Sequence, residues 1–409
     1  MRILMLSWEY PPHVIGGMGR HVMDLAPALV AEGVELHILT PLLRGGAASE
    51  VSAQGVHVHR VELSKATDDG QGPASVAFVQ QMNVAMERAA LALRQAVGDF
   101  ALIHAHDWLT AQAGIALKHT WRRPLVTTIH ATERGRRQGY LDAGHAEQIN
   151  DLEWLLTYEA WRVIACSRFM AAQLGEYFNT PHDKIDVVPN GIYVRPSPFG
   201  AEEERRAYRQ RFAGDDQPLA FYVGRIVYEK GLHVLLEAWP RVLERFPRAR
   251  LVIAGTGACL EVLRIRARDL GLSDSVLFTG FIPDEERDRF YAIADVAVFP
   301  SIYEPFGIVA LEAMGARCPV VVTATGGLAE VVIPHETGLT VCPNDPESLA
   351  WGILHTLQHP EWARARAENG FRVVCDAFNW HHIAAMTVEV YERTYTAWRQ
   401  NGWGTETLT

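Results

Sequence analysis

The chain has 409 residues, 48% hydrophobic and 21% charged, which is too long for one hydrophobic core and suits two domains. Its net charge of −10 excludes a nucleic-acid partner, which would require a basic face against phosphates. Cys166, Cys259, Cys318, Cys342 and Cys375 stand singly, which excludes a disulfide framework or Cys-rich zinc site, and the apolar runs are too short for a transmembrane segment.

The start, Met1-Arg2 followed by the strand Ile3–Leu6, lacks the apolar stretch of a signal peptide, so a cytoplasmic location is expected. Short β-branched runs alternate with helical patterns throughout, which predicts parallel sheets joined by crossover helices. Further strands are expected at Glu35–Thr40, His57–Val61, Leu102–Ala105, Leu125–Ile129, Arg162–Ala165 and Ile185–Val188. Helices are expected at Arg20–Glu32, Ala74–Val97 and Asp107–His119, the last capped by Asp107. Pro27 predicts a kink or a late start in the first of these. The proline-punctuated Arg195–Gly200 reads as a linker. A second set of strands follows at Ala220–Val223, Arg250–Ala254, Val276–Phe278, Val296–Phe299 and Val320–Thr323. From Trp380 to Trp398 the positions Ile383, Met386, Val390, Tyr391 and Tyr395 have helical spacing, before a polar Asn401–Thr409. The pattern predicts an α/β protein of two doubly wound domains facing one another, with ligand at the carboxyl ends of the strands.

Three segments could carry chemistry. Gly16 and Gly17, between the first strand and first helix, let backbone amides approach a phosphate. The surrounding sequence is neither G-x-G-x-x-G nor a Walker loop, and a plain strand-to-helix turn explains such glycines as well. Gly224-Arg225-Ile226-Val227-Tyr228-Glu229-Lys230-Gly231 places two cations at a strand end, suited to a diphosphate or to a salt-bridged turn. Ser301–Ala313 follows Val296–Phe299 and opens a helix near Gly307, where amides can hold phosphate oxygens. Glu304 before that helix and Glu312 within it could accept hydrogen bonds from sugar hydroxyls.

The Glu304-x7-Glu312 spacing, with G-R-I-V-Y-E-K-G and the Gly16-Gly17 loop, resembles the retaining GT-B glycosyltransferases of family four over nearly the whole chain. The resemblance implies two Rossmann-like domains around a central cleft: residues 1–195, with a helix 381–400 crossing back to that domain, and residues 200–380 for the nucleotide-sugar. It implies that Arg225 and Lys230 bind the donor diphosphate, that Phe306, Gly307, Ile308 and Val309 assist, and that Glu312 holds the ribose. Glu304 would face the donor sugar near its 3-hydroxyl, and Ile282 in Gly280–Pro283 would contact the base. Ser7–Pro12, His104–Leu109 and Thr128–Glu133 narrow the likeness to glycogen-synthase-like α-1,4-glucan glucosyltransferases of the actinobacterial glycogen and methylglucose lipopolysaccharide type. By that likeness His130 lies beside the anomeric centre and the 6-hydroxyl, and Asp107 lines the sugar site.

The implied reaction moves an α-glucosyl unit from ADP-glucose or UDP-glucose to an α-1,4-glucan or glucosylated acceptor, with retention. Another hexosyltransferase, of mannosyl or sucrose-synthesis type, is the alternative, because these motifs do not read the sugar; a GT-B epimerase or phosphorylase ranks below it. A non-catalytic binding protein would not need Arg225, Lys230 and both glutamates together. His104 and His106 could form a metal pair, but no further ligands follow at a recognisable spacing and no Asp-x-Asp is present, so no metal or other cofactor is expected. Trp8, Tyr10, Trp108 and Tyr303 could stack on sugar rings or sit half-buried in the core. The basic run Glu133–Arg137 reads as a solvated loop or as a contact for an anionic lipid or substrate.

Overall fold

A computed structural model describes residues 1–63 and 75–404; Ala74 and residues 405–409, which the sequence assigned to a helix start and a polar tail, lie outside the described residues. The chain forms two compact units, one of Met1–Gly191 joined by the segment from Trp380 onward, the other of Ile192–Asn379.

The first unit is built on one sheet of eight strands: β1 (Arg2–Leu6), β2 (Glu35–Pro41), β3 (Ser49–Val51), β4 (His57–Val61), β5 (Leu102–His106), β6 (Leu125–Ile129), β7 (Arg162–Ala165) and β8 (Ile185–Val187). Their order is β3-β4-β2-β1-β5-β6-β7-β8, and only β3 runs antiparallel to its neighbour. Without that edge strand this is the Rossmann-like order, its winding reversed between β1 and β5. Strands β5 and β6 are buried at every position, as befits a parallel sheet covered on both faces. β3 escaped the sequence reading because its three residues are all exposed and carry no hydrophobic alternation.

The helix Gly17–Ala31 begins earlier than expected and includes Pro27 in its interior. The helix Trp380–Asn401 belongs to this unit and packs Trp380, Ile383, Ala384, Val390 and Tyr391 into the core that holds Val22, Leu25 and Leu29. Its buried stripe also takes in Thr387 and Thr394 rather than Met386 and Tyr395. Each threonine hydroxyl donates to the carbonyl four residues earlier, Ile383 at 2.9 Å and Val390 at 2.6 Å, so burial leaves neither hydroxyl unsatisfied.

The second unit holds six parallel strands: β9 (Leu219–Val223), β10 (Arg250–Ala254), β11 (Val276–Gly280), β12 (Val296–Phe299), β13 (Val320–Thr323) and β14 (Leu339–Val341), in the order β11-β10-β9-β12-β13-β14. Again the winding reverses, here between β9 and β12. β14, of three residues, is the second strand the sequence did not reveal. The expected linker is not a free tether. The Ile192 amide donates to Phe378 O at 2.8 Å, Phe199 is buried, and Arg195 pairs with Asp288 at 3.0 Å, all within the second unit.

Candidate active site

Loops at the carboxyl ends of strands flanking a reversal of winding are where open α/β sheets bind ligands. In the first unit these are the loops after β1 and β5; they carry Gly16 and Asp107, and Gly17 opens the helix that follows the first of them. Neighbouring β6 delivers His130.

Asp107 does not cap its own helix. Its side chain accepts the His130 amide at 2.7 Å, and the helical segment after it is a short turn, Trp108–Thr110, ahead of Ala111–Trp121. Its backbone sits at φ 56°, ψ 176°, a region costing a non-glycine residue about 1–3 kcal/mol and concentrated at functional sites. Burial pushes the Asp107 carboxyl up to about 6, against the opposing pull of Arg136. The Asp107–His130 bond ties the end of β5 to the end of β6.

His130 stands in a cluster of imidazoles. Its Nε2 lies 3.0 Å from His106 Nδ1, and its ring meets that of His21 edge-on at 4.8 Å. His21 comes from the helix that opens at Gly17 and bonds Asn190 Oδ1 at 2.6 Å. Burial, then Arg136, depresses His130 to about 3, and burial holds His21, His104 and His106 well below their usual range. The cluster is therefore neutral near pH 7. His104 is a core residue, held by Tyr391 OH at 2.7 Å and Thr128 Oγ1 at 2.8 Å. The grouping weighed and set aside at His104 and His106 is not the one that forms: His21, His106 and His130 are the trio whose ligand atoms lie within 4.8 Å of one another. Two of its nitrogens, His106 Nδ1 and His130 Nε2, are hydrogen-bonded together.

The Gly16 amide donates to Glu9 Oε2 at 3.0 Å, as does Ile15 at 2.7 Å. A carboxylate of the chain itself thus takes these amides, a role for Glu9 that the sequence did not disclose. Gly19 makes room for it: an added Cβ would lie 2.3 Å from Glu9 Oε2. At Gly16, by contrast, a Cβ would meet no atom of the chain within 4 Å.

Trp8, Tyr10, Trp108 and Tyr303 are only 5–8% exposed, which makes them packing residues here rather than open sugar platforms. Trp8, for example, meets Phe78 edge-on at 6.0 Å. The basic run forms a short helix, Glu133–Arg136, capped by Thr132, and Arg137 is held by Glu133 and Asp142 at 2.6 Å each. Behind it Glu153 accepts the Glu133 amide at 2.9 Å and 3.0 Å, and burial drives its carboxyl up to about 8.

In the second unit the loops after β9 and β12 carry Arg225, Lys230 and Glu304, and bring Lys230 and Glu304 together. Lys230 Nζ donates to Glu304 Oε2 at 2.6 Å, and Ser301 Oγ approaches the same oxygen at 3.3 Å. The pair is largely buried, with side-chain exposures of 17% and 10%. Arg225 is about half exposed and meets Glu229 at 3.4 Å. Gly231, at φ 68°, closes the Lys230 turn so tightly that a Cβ would lie 1.9 Å from Pro300 O. Gly307, at φ 108°, begins the helix Ile308–Gly315, and a Cβ there would strike Leu328 at 2.5 Å. Phe306 is buried, Ile308 and Val309 are half-buried in the first turn, and Val309 O accepts from Tyr291 OH at 3.2 Å. Ile282 lies beyond β11, half-buried beside the exposed Phe281.

Glu312 accepts from the buried Arg287 at 2.9 Å. Burial opposes the Arg287 charge, yet Glu312, Tyr291, Asp284 and Asp288 together hold it above its ordinary range. Sequence reading missed Arg287, which sits in an ordinary amphipathic helix, Asp284–Ile293. It also missed Gly255 and Gly257 after β10. A Cβ on either would lie 1.9 Å from Gly224 O or 2.3 Å from Ile226 O, so these glycines let one loop back onto the Arg225 loop.

Comparison with known proteins agrees with both units. The family model for glycosyltransferase family 4 matches residues 15–195, and that for glycosyl transferases group 1 matches residues 204–373. An uncharacterized glycosyltransferase of Methanocaldococcus jannaschii is 37% identical over 96% of this chain and 98% of its own. The glycogen synthase of Mycobacterium tuberculosis is 37% identical over 96% of this chain and 94% of its own. Among solved structures, sucrose-phosphate synthase from Thermosynechococcus elongatus superposes with a TM-score of 0.82 at 27% identity, covering 97% of this chain and 99% of that one. With two Rossmann-like units, a family match on each and full-length relatives at 37% identity, the chain belongs to the GT-B glycosyltransferases of group 1 and family 4, and is an enzyme that transfers hexosyl groups.

Proposed function

We propose that the enzyme transfers an α-glucosyl unit from ADP-glucose or UDP-glucose to the 4-hydroxyl of an α-1,4-glucan or glucosylated acceptor, with retention of configuration. The observation that carries this reading is the grouping of Arg225, Lys230, Glu304 and the Gly307 helix start at the reversal of the second sheet. Cations and the amide end of a helix there suit a diphosphate that gains charge as it leaves. The choice of glucose and glucan draws on the likeness to the mycobacterial glycogen synthase.

In this mechanism the bond from the anomeric carbon to the diphosphate oxygen breaks while the acceptor oxygen bonds to the same face. The acceptor proton passes to the departing diphosphate. Arg225 and Lys230 stabilise that leaving group, Glu304 fixes the sugar near its 3-hydroxyl, and Glu312, oriented by Arg287, accepts from the ribose. His130 is neutral, so it serves as a hydrogen-bond partner at the 6-hydroxyl and anomeric region rather than as an acid. Gly16, where the chain itself leaves a Cβ unopposed, and Gly17 would border the donor, with Asp107 holding His130 in place. Catalysis is then electrostatic and positional, and needs no divalent ion.

The superposition on sucrose-phosphate synthase favours a second reading, glucosyl transfer to a phosphorylated ketose. One matrix separates them: nucleotide release from ADP-, UDP- and GDP-sugars, each with maltooligosaccharide, glycogen or fructose 6-phosphate. The proposal expects turnover with a glucose donor that depends on the glucan, and turnover only with fructose 6-phosphate or a mannose donor refutes it.

A further inference from the structure

At the β14 edge of the second sheet lies a cavity of about 370 Å³ lined by His335, His355, Trp362, Ala365, Arg366 and Asn369. His335 precedes β14, so the cavity opens near the amino end of that strand, whereas the donor motifs follow the carboxyl ends of β9 and β12. None of the residues singled out in the sequence lines it.

Its chemistry is cationic and uncompensated. Arg366 is 7% exposed, and its Nη2 has no hydrogen-bond partner among the described residues. Arginine is almost never buried without an anion, because desolvating the charge is costly. Burial alone is what acts on its guanidinium, lowering it, with no carboxylate set against that effect. His355 Nδ1, on the neighbouring helix Pro346–Gln358, is likewise buried without a partner. Burial and then the charges of Arg366, His359 and His335 hold His355 below its usual range, so every group that acts on it resists its protonation. Asn369 is already engaged, donating to Glu336 O at 3.1 Å. At the mouth stands Trp362, 58% exposed, its ring stacked on His359 at 4.5 Å.

We propose that this cavity binds a small phosphomonoester, its phosphate on Arg366 and His355 and the remainder of the molecule against the Trp362 ring. A guanidinium is a bidentate partner for phosphate oxygens, and an exposed indole suits the C–H face of a sugar. The volume falls within the range of small-molecule sites, about 300–1,000 Å³, and a lone phosphate would leave most of it unfilled. Because the site is separate from the donor loops, its ligand acts as an effector, and the inference does not depend on which sugar the enzyme transfers.

The test is calorimetric titration of the full chain carrying Arg225→Ala and Lys230→Ala, so that the donor site contributes no phosphate binding. Inorganic phosphate, a hexose 6-phosphate and the free hexose are compared. Both phosphates should bind, the hexose phosphate about tenfold tighter or more, and the free hexose should not. Adding Arg366→Met should weaken both phosphates about thirtyfold or more without lowering Tm, since it removes an uncompensated buried charge. Trp362→Ala, at an exposed ring, should abolish the preference for hexose phosphate and leave phosphate binding intact. Equal affinity for the two phosphates would assign the site to free phosphate. No phosphate binding, equal binding of the free hexose, affinity unchanged by Arg366→Met, or loss of folding in that variant would each overturn the proposal.

Discussion

The Lys230–Glu304 pair gives the sharpest prediction, because stability and turnover should respond to it differently. At 2.6 Å, two unit charges attract by about 6 kcal/mol if the effective dielectric is about 20. The side chains are 17% and 10% exposed, so desolvation offsets much of this, yet removing one partner strands the other in a poorly solvated site. Lys230→Met and Glu304→Gln should each destabilise the protein by about 3 kcal/mol, the low end for breaking a buried pair, because both side chains keep some access to solvent. In the double variant neither charge is stranded, so its loss should fall short of the sum by about 2 kcal/mol. Turnover should not recover in parallel: all three variants should lose about a hundredfold or more, since the leaving-group cation or the sugar contact is absent in each. Urea unfolding combined with single-turnover assays on both glucose donors measures the two effects. Strictly additive stability losses, or a double variant that regains activity with its stability, would refute the reasoning.

Other tests probe separate parts of the account. Arg225→Ala should cut turnover about a hundredfold or more while leaving Tm nearly unchanged, because a half-exposed pair at 3.4 Å contributes little to stability; near-normal turnover would remove Arg225 from the phosphate site. Activity should survive EDTA, and a loss restored by one particular divalent ion would instead direct attention to His21, His106 and His130. Glu153 titrates near 8 in the folded chain against 4.5 ordinarily, so between those values the folded state binds the extra proton and stability falls as pH rises. Glu153→Gln should therefore flatten the decline in Tm between pH 5 and about 8, and an identical slope in wild type and variant would contradict the assignment.

Much of this molecule is legible in its sequence, for reasons visible in particular residues. Strands such as Arg250–Ala254 and Val296–Phe299 are buried along nearly their whole length, so they read as unbroken apolar runs. The strands that escaped, β3 and β14, have three residues each, and β3 is exposed throughout. At the site, the Arg225–Lys230 and Glu304–Glu312 spacings are local and could be read from the chain. Arg287 could not, since its partner Glu312 lies 25 residues away on another helix. Nor could Asp107: its residue type fits a cap, and only the fold shows its carboxylate turned to the His130 amide. The aromatic residues stayed open to two readings for a related reason, since Trp8 and Trp108 carry the same side chain whether they line a wall or fill a core.

The central claim is retaining glucosyl transfer to a glucan, and the anomeric configuration of the first product tests it most directly. Maltooligosaccharide incubated with ADP-glucose or UDP-glucose, then examined by proton NMR before any equilibration, should show a chain longer by one glucose with a small α-type anomeric coupling at the new linkage. A β-linked product, or no elongation with either donor while a mannose donor or fructose 6-phosphate supports turnover, would contradict it.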